Sequence, residues 1–324
     1  MRAALKSRQV TGLMVSAFII AICGLVYELI IGTLSSYLFG NSVVHFSITI
    51  GLFMSAMGAG SYLSRWVKGD LLHRFISLEI ALGLVGGVSA AVLYAVFATT
   101  ELFYLAMGLL ILAIGIFIGM EIPLITRLGK GAGKTSDLLA NVLAFDYLGA
   151  LLGSILFPLV LLPYLGLLQT SFAVGLLNTL VAGVIIWSFR GRLAKKGRLI
   201  LLAGVTALIL LGGMVWAGRL TSFFERQLYR DDIIYAEQSR YQRIVLTRWK
   251  DDVRLYLDGN LQFSTKDEYR YHESLVHPAL DLARPRASVL VLGGGDGLAA
   301  REILKYEEVE EVVVVDLEIG RAHV

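Results

Sequence analysis

A glycine-rich turn is the first feature of this chain whose residues could do chemistry. The turn, residues 293–297, reads Gly-Gly-Gly-Asp-Gly; it follows an apolar segment at 289–292 and precedes a predicted helix at 298–305. Consecutive glycines allow positive φ angles and a close approach of the backbone to a ligand. A second apolar strand, at 311–316, ends in an acid, Asp316. This order is typical of a doubly wound fold that binds a nucleoside, with the acid on the ribose hydroxyls.

The acid inside the turn narrows the choice of ligand. Asp296 puts a carboxylate where a dinucleotide-binding fold would hold a pyrophosphate, so it favours a ligand that is cationic or lacks phosphate. The alternative for Asp296 is that it only caps the following helix. The alternative for Asp316 is a solvated residue at the end of a strand. Both alternatives stay open on the sequence.

Four short motifs upstream of the turn make the predicted class of ligand more specific. They are YQRI at 241–244, LDGNLQ at 257–262, DEYRYHE at 267–273 and HPAL at 277–280. Together with the glycine turn, they resemble the spermidine synthase (polyamine aminopropyltransferase) family over about residues 233–317. The resemblance implies transfer of an aminopropyl group from decarboxylated S-adenosylmethionine to putrescine or a related polyamine, with release of methylthioadenosine. It implies this co-substrate and no metal or other cofactor.

The resemblance also implies roles for particular residues. Gln242 and Gln262 would line the cleft, Tyr271 would orient the attacking amine, and His272 would be a further substrate contact. Asp296 would hold the amino group of the donor, and Asp316 the ribose. The implied substrate-binding positions are Gln242, Gln262, Tyr271, His272, Asp296 and Asp316, with a nucleoside loop of Gly293, Gly294, Gly295 and Gly297. A lone histidine is, however, more often structural than catalytic.

The expected reaction also needs a base. Free alkylamines have pKa values near ~10.4, like lysine, so a site must provide a base and a dry, acidic pocket. In the family, this base is an aspartate that follows a later strand, so we expect it beyond residue 324 and expect this chain alone to be inactive. Residues 318–324 depart from the family pattern and match a translated sequencing adapter, so we exclude them from fold reasoning.

Composition predicts a membrane domain before this soluble part. Hydrophobic residues make up 56% of the chain and charged residues 17%, with a mean hydropathy of +0.70. About seven apolar runs are long enough to cross ~30 Å of hydrocarbon: 13–31, 43–63, 75–97, 102–120, 139–161, 168–189 and 199–216. We therefore predict a multi-pass α-helical membrane domain (1–218), a linker (219–232), a small antiparallel β subdomain with a helix (233–283) and the start of a Rossmann-like α/β domain (284–317).

Charge placement predicts how the membrane domain is oriented. Lys and Arg occupy the N-terminal tail and the loops after the second, fourth and sixth runs, and the intervening loops have none. The positive-inside rule then places the N-terminus on the cytoplasmic side of a cell (inner) membrane. Seven crossings would leave the soluble part outside. A donor made in the cytosol instead favours the cytoplasmic side for the soluble part, and this is the side that we expect. The net charge of +3 reflects the basic loops, and no basic face interleaved with aromatics suggests nucleic acid.

Acids within the apolar runs keep a second function open. Glu28, Glu79, Glu121 and Asp146 lie within or at the ends of these runs. An ionisable group at membrane depth is costly and is a functional candidate by default. The bland alternative is pairing, for example of Glu121 with Arg127. Competing functions are an S-adenosylmethionine-dependent methyltransferase and a transporter with a polyamine- or nucleoside-sensing domain. The sequence leaves the oligomeric state, including a homo-oligomer, open.

Overall fold

The computed structural model of the protein describes residues 7–130, 135–193, 196–229, 231–239 and 242–316. The chain divides into two compact units, Met1–Leu228 and Tyr229–Val324. The predicted adapter translation at 318–324 lies outside the described residues. The helix that ends the first unit continues to Tyr229, so most of the predicted linker at 219–232 is helical.

The first unit consists of long apolar helices. They are α1 (Ser7–Phe39), α2 (Ser42–Leu63), α3 (Leu71–Thr99), α4 (Phe103–Leu128), α5 (Thr135–Leu156), α6 (Leu162–Ser188) and α7 (Lys196–Tyr229). Among the described residues, six continuous helices are long and apolar enough to cross a membrane. The predicted runs 139–161 and 168–189 share one of them, because a π-helical turn, Phe157–Leu161, joins α5 to α6.

The 54-residue stretch Thr135–Ser188 is not one straight rod. At 1.5 Å per residue it would be about 80 Å long, far more than the ~30 Å of a bilayer core. Gly166 breaks it, with φ 70° and ψ 177°, angles that no helix contains. Both α5 and α6 contact α1. The two predicted runs therefore form two helical segments on either side of this break.

Glycines at four-residue spacing bring neighbouring helices close together, as small residues do between membrane helices. The contacts also give relative directions: α5 runs parallel to α1, α4 runs parallel to α2, and α6 runs antiparallel to α3. The pairs in contact are Gly149 with Phe18 and Gly153 with Ile22, Gly115 with Ala56 and Gly119 with Met57, and Gly83 with Thr179 and Gly87 with Gly175.

The last helix of this unit, α7, runs in the same direction as α3. Leu210 of α7 lies against Gly87 of α3. Fourteen residues further along α7, Phe224 stacks on Tyr94 of α3, with ring centroids 5.6 Å apart. Because both pairs advance together, α7 ends at the end of the bundle where α3 ends, at Thr99. At that end the loops contain no Lys or Arg.

The second unit begins with the predicted antiparallel sheet. Its strands are β1 (Asp232–Gln238), β2 (Arg243–Trp249), β3 (Asp252–Leu257) and β4 (Asn260–Ser264), hydrogen-bonded in sequence order. Positive φ angles at Lys250 (59°), Asp258 (47°) and Gly259 (77°) form the tight turns on either side of β3. Such angles match the right-handed twist of paired strands. The predicted antiparallel sheet is confirmed.

A helix, a glycine turn and two parallel strands complete the described part of this unit. They are α8 (Glu268–Leu282), β5 (Ser288–Leu292), α9 (Leu298–Ile303) and β6 (Glu311–Val315), with β5 paired parallel to β6. The four residues at the centre of the core are Val276, Leu280, Ala299 and Ile303. Ser264 and Thr265 donate hydrogen bonds to Asp252 of β3, and Asp267 takes the N-cap position of α8.

Candidate functional site

The glycine turn has the backbone conformation that its composition predicts. Gly293, Gly294 and Gly297 have φ angles of 83°, 74° and 77°, values that cost a residue with a Cβ about 1–2 kcal/mol. The N–H of Gly293 donates to the carbonyl of Val315 at 2.8 Å. This bond extends the β5–β6 pairing into the turn. The turn is therefore fixed to the end of β6, where Asp316 follows.

Asp316 lies directly against the turn. Its Oδ2 accepts a hydrogen bond from the N–H of Gly295 at 2.9 Å. A Cβ built on Gly295 would lie 2.8 Å from the Asp316 carboxyl carbon, closer than two such atoms can approach. Gly295 is thus required by this contact rather than by its φ angle. The structure brings together the turn and the acid, as predicted, and Asp316 also closes the turn.

Asp296 lies at the opposite, helix-facing side of the turn. Its Oδ1 accepts a hydrogen bond from the N–H of Leu298, the first residue of α9, at 2.9 Å, while Gly297 takes the N-cap position. Among the described residues, this is the one hydrogen bond that its carboxylate accepts, and a carboxylate can accept about four. This hydrogen bond and ligand binding are therefore compatible at Asp296.

Helix α8 separates two residues that the sequence placed together. The Tyr271 side chain is 64% exposed and is open to a ligand. His272 is 6% exposed, and its Nδ1 lies 2.9 Å from Oε2 and 2.8 Å from the carbonyl oxygen of Glu268. The structure therefore places His272 in a buried network, which does not fit the predicted substrate contact. Consecutive residues on a helix point about 100° apart, so His272 faces the core when Tyr271 faces solvent.

The network that holds His272 joins α8 to α9. Arg301 donates through one nitrogen to both oxygens of Glu268, at 2.8 and 3.0 Å, and through Nε to Glu302 at 2.9 Å. Lys305 also donates to Glu302, which is 1% exposed. The hydrogen bond from Lys305, followed by that from Arg301, holds the pKa of Glu302 below its ordinary value of 4.5 despite burial. Sequence reasoning missed this network, although Glu302 lies on the apolar face of α9 beside Ile303.

Glu273, His277 and Glu302 offer ligand atoms within 4.8 Å of one another, which is metal-like spacing. The surrounding contacts do not suit a metal ion. The Glu302 carboxylate is already shared by Arg301 and Lys305, and His277 Nδ1 lies 2.9 Å from the Tyr306 hydroxyl. A cation would have to displace two others. We interpret this cluster as part of the ion-pair network between α8 and α9.

The two glutamines lie on the antiparallel sheet. Gln242 precedes β2, and its backbone N–H bonds the Ser239 hydroxyl at 3.0 Å. Gln262 is exposed in the edge strand β4, where its amide donates to the carbonyl of Asn260 at 3.1 Å. Within the described ranges, no hydrogen bond joins either glutamine to the glycine turn. Their predicted place in one cleft with the turn remains a prediction.

The acids of the helical unit differ in burial. Glu79 and Glu121 are 0% and 4% exposed, whereas Glu28 and Asp146 are half-buried. Asn178 of α6 donates through Nδ2 to both the carbonyl and Oε2 of Glu79, each at 3.0 Å. The guanidinium of Arg127 donates to the carbonyls of Ser64 and Val67. The expected Arg127–Glu121 pair is therefore not formed.

Comparison with known proteins agrees with the motifs. Residues 268–319 match the spermine/spermidine synthase domain. "Polyamine aminopropyltransferase 2" of Ralstonia nicotianae is 53% identical over 313 residues, covering 94% of this chain and 61% of that protein. "Polyamine aminopropyltransferase" of Leptospira interrogans is 48% identical over 312 residues, covering 95% and 62%. A solved spermidine synthase from Thermotoga maritima is 39% identical over 26% of this chain and 31% of its own, with a TM-score of 0.26.

The similarity extends through both units, since 94% of the chain aligns. The apolar helices are thus shared with proteins that carry the aminopropyltransferase name. The chain spans about three fifths of the length of these curated relatives. Together, the domain match and the relatives show that the chain belongs to the spermidine synthase (polyamine aminopropyltransferase) family.

Proposed function

We propose that the whole protein is a membrane-anchored polyamine aminopropyltransferase that uses decarboxylated S-adenosylmethionine as donor and putrescine or a related polyamine as acceptor. The observation that carries the proposal is the glycine turn, closed by Asp316 through Gly295, with Asp296 beside it. Asp296 in the turn and Asp316 against it can together hold a nucleoside and a cationic side group. The reaction needs no metal or other cofactor.

The reaction is a displacement at carbon. The nitrogen lone pair of the acceptor forms a C–N bond to the aminopropyl carbon next to the sulfonium. The C–S bond breaks, and its electron pair neutralises the sulfur, so methylthioadenosine leaves. The new secondary ammonium gives its proton to a base. In this proposal the base is an aspartate beyond residue 324, and the exposed Tyr271 hydroxyl assists by orienting the amine.

Two acids divide the binding of the donor. Asp296 has unused acceptor capacity, and it would receive the N–H groups of the aminopropyl ammonium. Asp316 would bind the ribose hydroxyls while it keeps the N–H of Gly295. Gly293, Gly294 and Gly297 let the backbone approach the nucleoside. Gln242 and Gln262 would contact the substrates from the antiparallel sheet. His272 is assigned no contact with substrate, because Glu268 engages it in the buried network.

The membrane anchor is part of the proposal. Length and composition of the helices support it, and so does the pattern of basic loops. Seven helical segments with alternating direction would give seven crossings of a cell (inner) membrane with a cytoplasmic N-terminus. Seven crossings would place the second unit outside, whereas a donor made in the cytosol favours the cytoplasmic side, and cysteine labelling distinguishes the two.

The test uses a completed chain, in which residues 1–316 are joined to the aligned remainder of the Ralstonia relative. We expect methylthioadenosine and an aminopropylated amine when decarboxylated S-adenosylmethionine and putrescine are supplied. S-adenosylmethionine itself, with the same acceptor, should give no transfer. Methyl transfer from S-adenosylmethionine would overturn the proposal in favour of a methyltransferase. The 324-residue chain alone should release no methylthioadenosine above a protein-free blank, and turnover there would refute the position of the base.

A further inference from the structure

Two acids of the helical unit are buried in two helices that pack against each other. Glu79 is in α3 and Glu121 is in α4, and the two carboxylates interact electrostatically. The packing of α1 explains why they meet. Gly24 of α1 lies against Ile118, one turn before Glu121, and the ring of Tyr27 lies against Gly86, two turns after Glu79. Helix α1 therefore packs against both α3 and α4.

Polar atoms around this pair are unpartnered. Glu79 Oε1, Glu121 Oε1, Asn178 Oδ1 and the Tyr27 hydroxyl are buried and have no hydrogen-bond partner among the described residues. Tyr27 and Asn178 are both 0% exposed. The Tyr27 ring lies against Gly86 of α3, the helix that carries Glu79. A buried polar atom without a partner is unfavourable, and more so when it is charged.

The orientation of Asn178 is determined by its partners. Its Nδ2 donates to the carbonyl oxygen of Glu79, which can only accept. The amide therefore cannot be reversed, and Oδ1 must be the atom left unpartnered. Three of the unpartnered atoms, on Glu79, Glu121 and Asn178, are thus oxygens that need a donor.

No described cationic side chain supplies that donor. Within the described ranges, neither Glu79 nor Glu121 forms an ion pair, and the terminal guanidinium nitrogens of Arg127 are engaged by two carbonyls. Buried charges in proteins are normally paired, and an intramembrane acid is retained at a cost when it has work to do. The cluster lacks positive charge and N–H donors, and both would come from one ligand.

We propose that Glu79, Glu121, Asn178 and Tyr27 form an intramembrane binding site for a primary alkylammonium group, such as one end of a diamine. An ammonium offers three N–H donors, which matches the three acceptor oxygens. A calcium ion takes six to eight oxygens, whereas four unpartnered polar atoms are described at this cluster. The site is separate from the glycine turn and does not depend on the proposed catalysis.

The test measures equilibrium binding of radiolabelled putrescine to the whole 324-residue chain in lipid nanodiscs. The double variant Glu79→Gln/Glu121→Gln removes both carboxylate charges, and we expect affinity to fall at least 10-fold. Glu28→Gln is the matched control, because it makes the same change at a half-buried acid of α1, and it should bind as the unmodified chain does.

A milder variant guards against misfolding. Tyr27→Phe removes one hydroxyl and keeps the ring against Gly86, so we expect a fold intact by thermal unfolding and affinity reduced several-fold. Unchanged affinity in the double variant would overturn the proposal. Loss of affinity in Asp296→Asn, with the double variant unaffected, would also overturn it and place the amine at the glycine turn. Binding of sodium or magnesium in preference to putrescine would overturn the choice of ligand.

Discussion

The carboxylate of Asp316 accepts the backbone N–H of Gly295 at 2.9 Å, so the second strand of the parallel pair closes the turn that follows the first. This contact joins two segments 21 residues apart in sequence. It makes the acid a support for the loop as well as a candidate ligand for ribose. The glycine is needed because the carboxyl group occupies the space of a Cβ.

Gly295→Ala should therefore destabilise the second unit by about 1–3 kcal/mol, as overpacking does. The cause would be the clash with Asp316, since Gly295 has an ordinary φ angle. Adding Asp316→Ala to the Gly295→Ala variant should restore most of the lost stability. Hydrogen exchange of the β5 and β6 amides measures both effects. If the second change brings no recovery, the clash is not the cause.

The network between α8 and α9 predicts a dependence of stability on pH. The folded pKa of Glu302 is lowered, so its contribution is present above the unfolded value, ~4.3, and is lost as pH falls through the folded value. Glu302→Gln should cost about 1–3 kcal/mol at pH 7, since hydrogen bonds to a charged group are removed. The cost should vanish at low pH, as measured by hydrogen exchange in α9.

Glu308→Gln is the matched control for this experiment. Glu308 also has a lowered pKa, through Arg286, but its side chain is 55% exposed, and solvent screening weakens exposed ion pairs. Its effect on exchange in α9 should be small at every pH. Equal effects of the two variants would contradict a special role for the buried pair.

Helix directions predict which loops share a side of the membrane. Because α7 runs parallel to α3, a cysteine at Asp251 should be labelled from the same side as one at Thr99, and from the side opposite to Lys68. All three positions are exposed. An impermeant maleimide applied to cells or inverted vesicles, in a Cys23→Ala background, reads this out. Labelling of Asp251 together with Lys68 would mean that one helical segment does not cross.

Much of the fold could be predicted because its signals are local. An Asp-Gly pair such as Asp258-Gly259 is typical of a tight turn between two strands of alternating polar and apolar residues, and the structure has that turn. The glycine turn at 293–297 and the acid at 316 likewise follow from strand order. The division of 135–188 into two segments was predicted from hydropathy, but their continuity through a π turn was not, since no charged loop separates them.

Side-chain contacts between distant segments could not be predicted in the same way. His272 was expected to face substrate, yet Glu268 and the core bury it. Arg127 was near enough in sequence to Glu121 to suggest a pair, yet it bonds carbonyls that follow α2. Both outcomes depend on how helices pack, and one periodic sequence is compatible with several arrangements. Asn178 donates hydrogen bonds to Glu79, but the sequence showed only a polar residue within an apolar run and gave no indication of this contact.

The most direct test of the central claim is the affinity of the completed chain for the donor. Asp296→Asn keeps an oxygen that accepts the N–H of Leu298 and removes the charge. Its affinity for decarboxylated S-adenosylmethionine should fall about 10- to 150-fold, the equivalent of 1.5–3 kcal/mol for a charge-assisted hydrogen bond. Methylthioadenosine lacks the aminopropyl ammonium, so its affinity should stay the same. Unchanged affinity for the donor, or an equal loss for both ligands by calorimetric titration, would contradict the proposed role of Asp296.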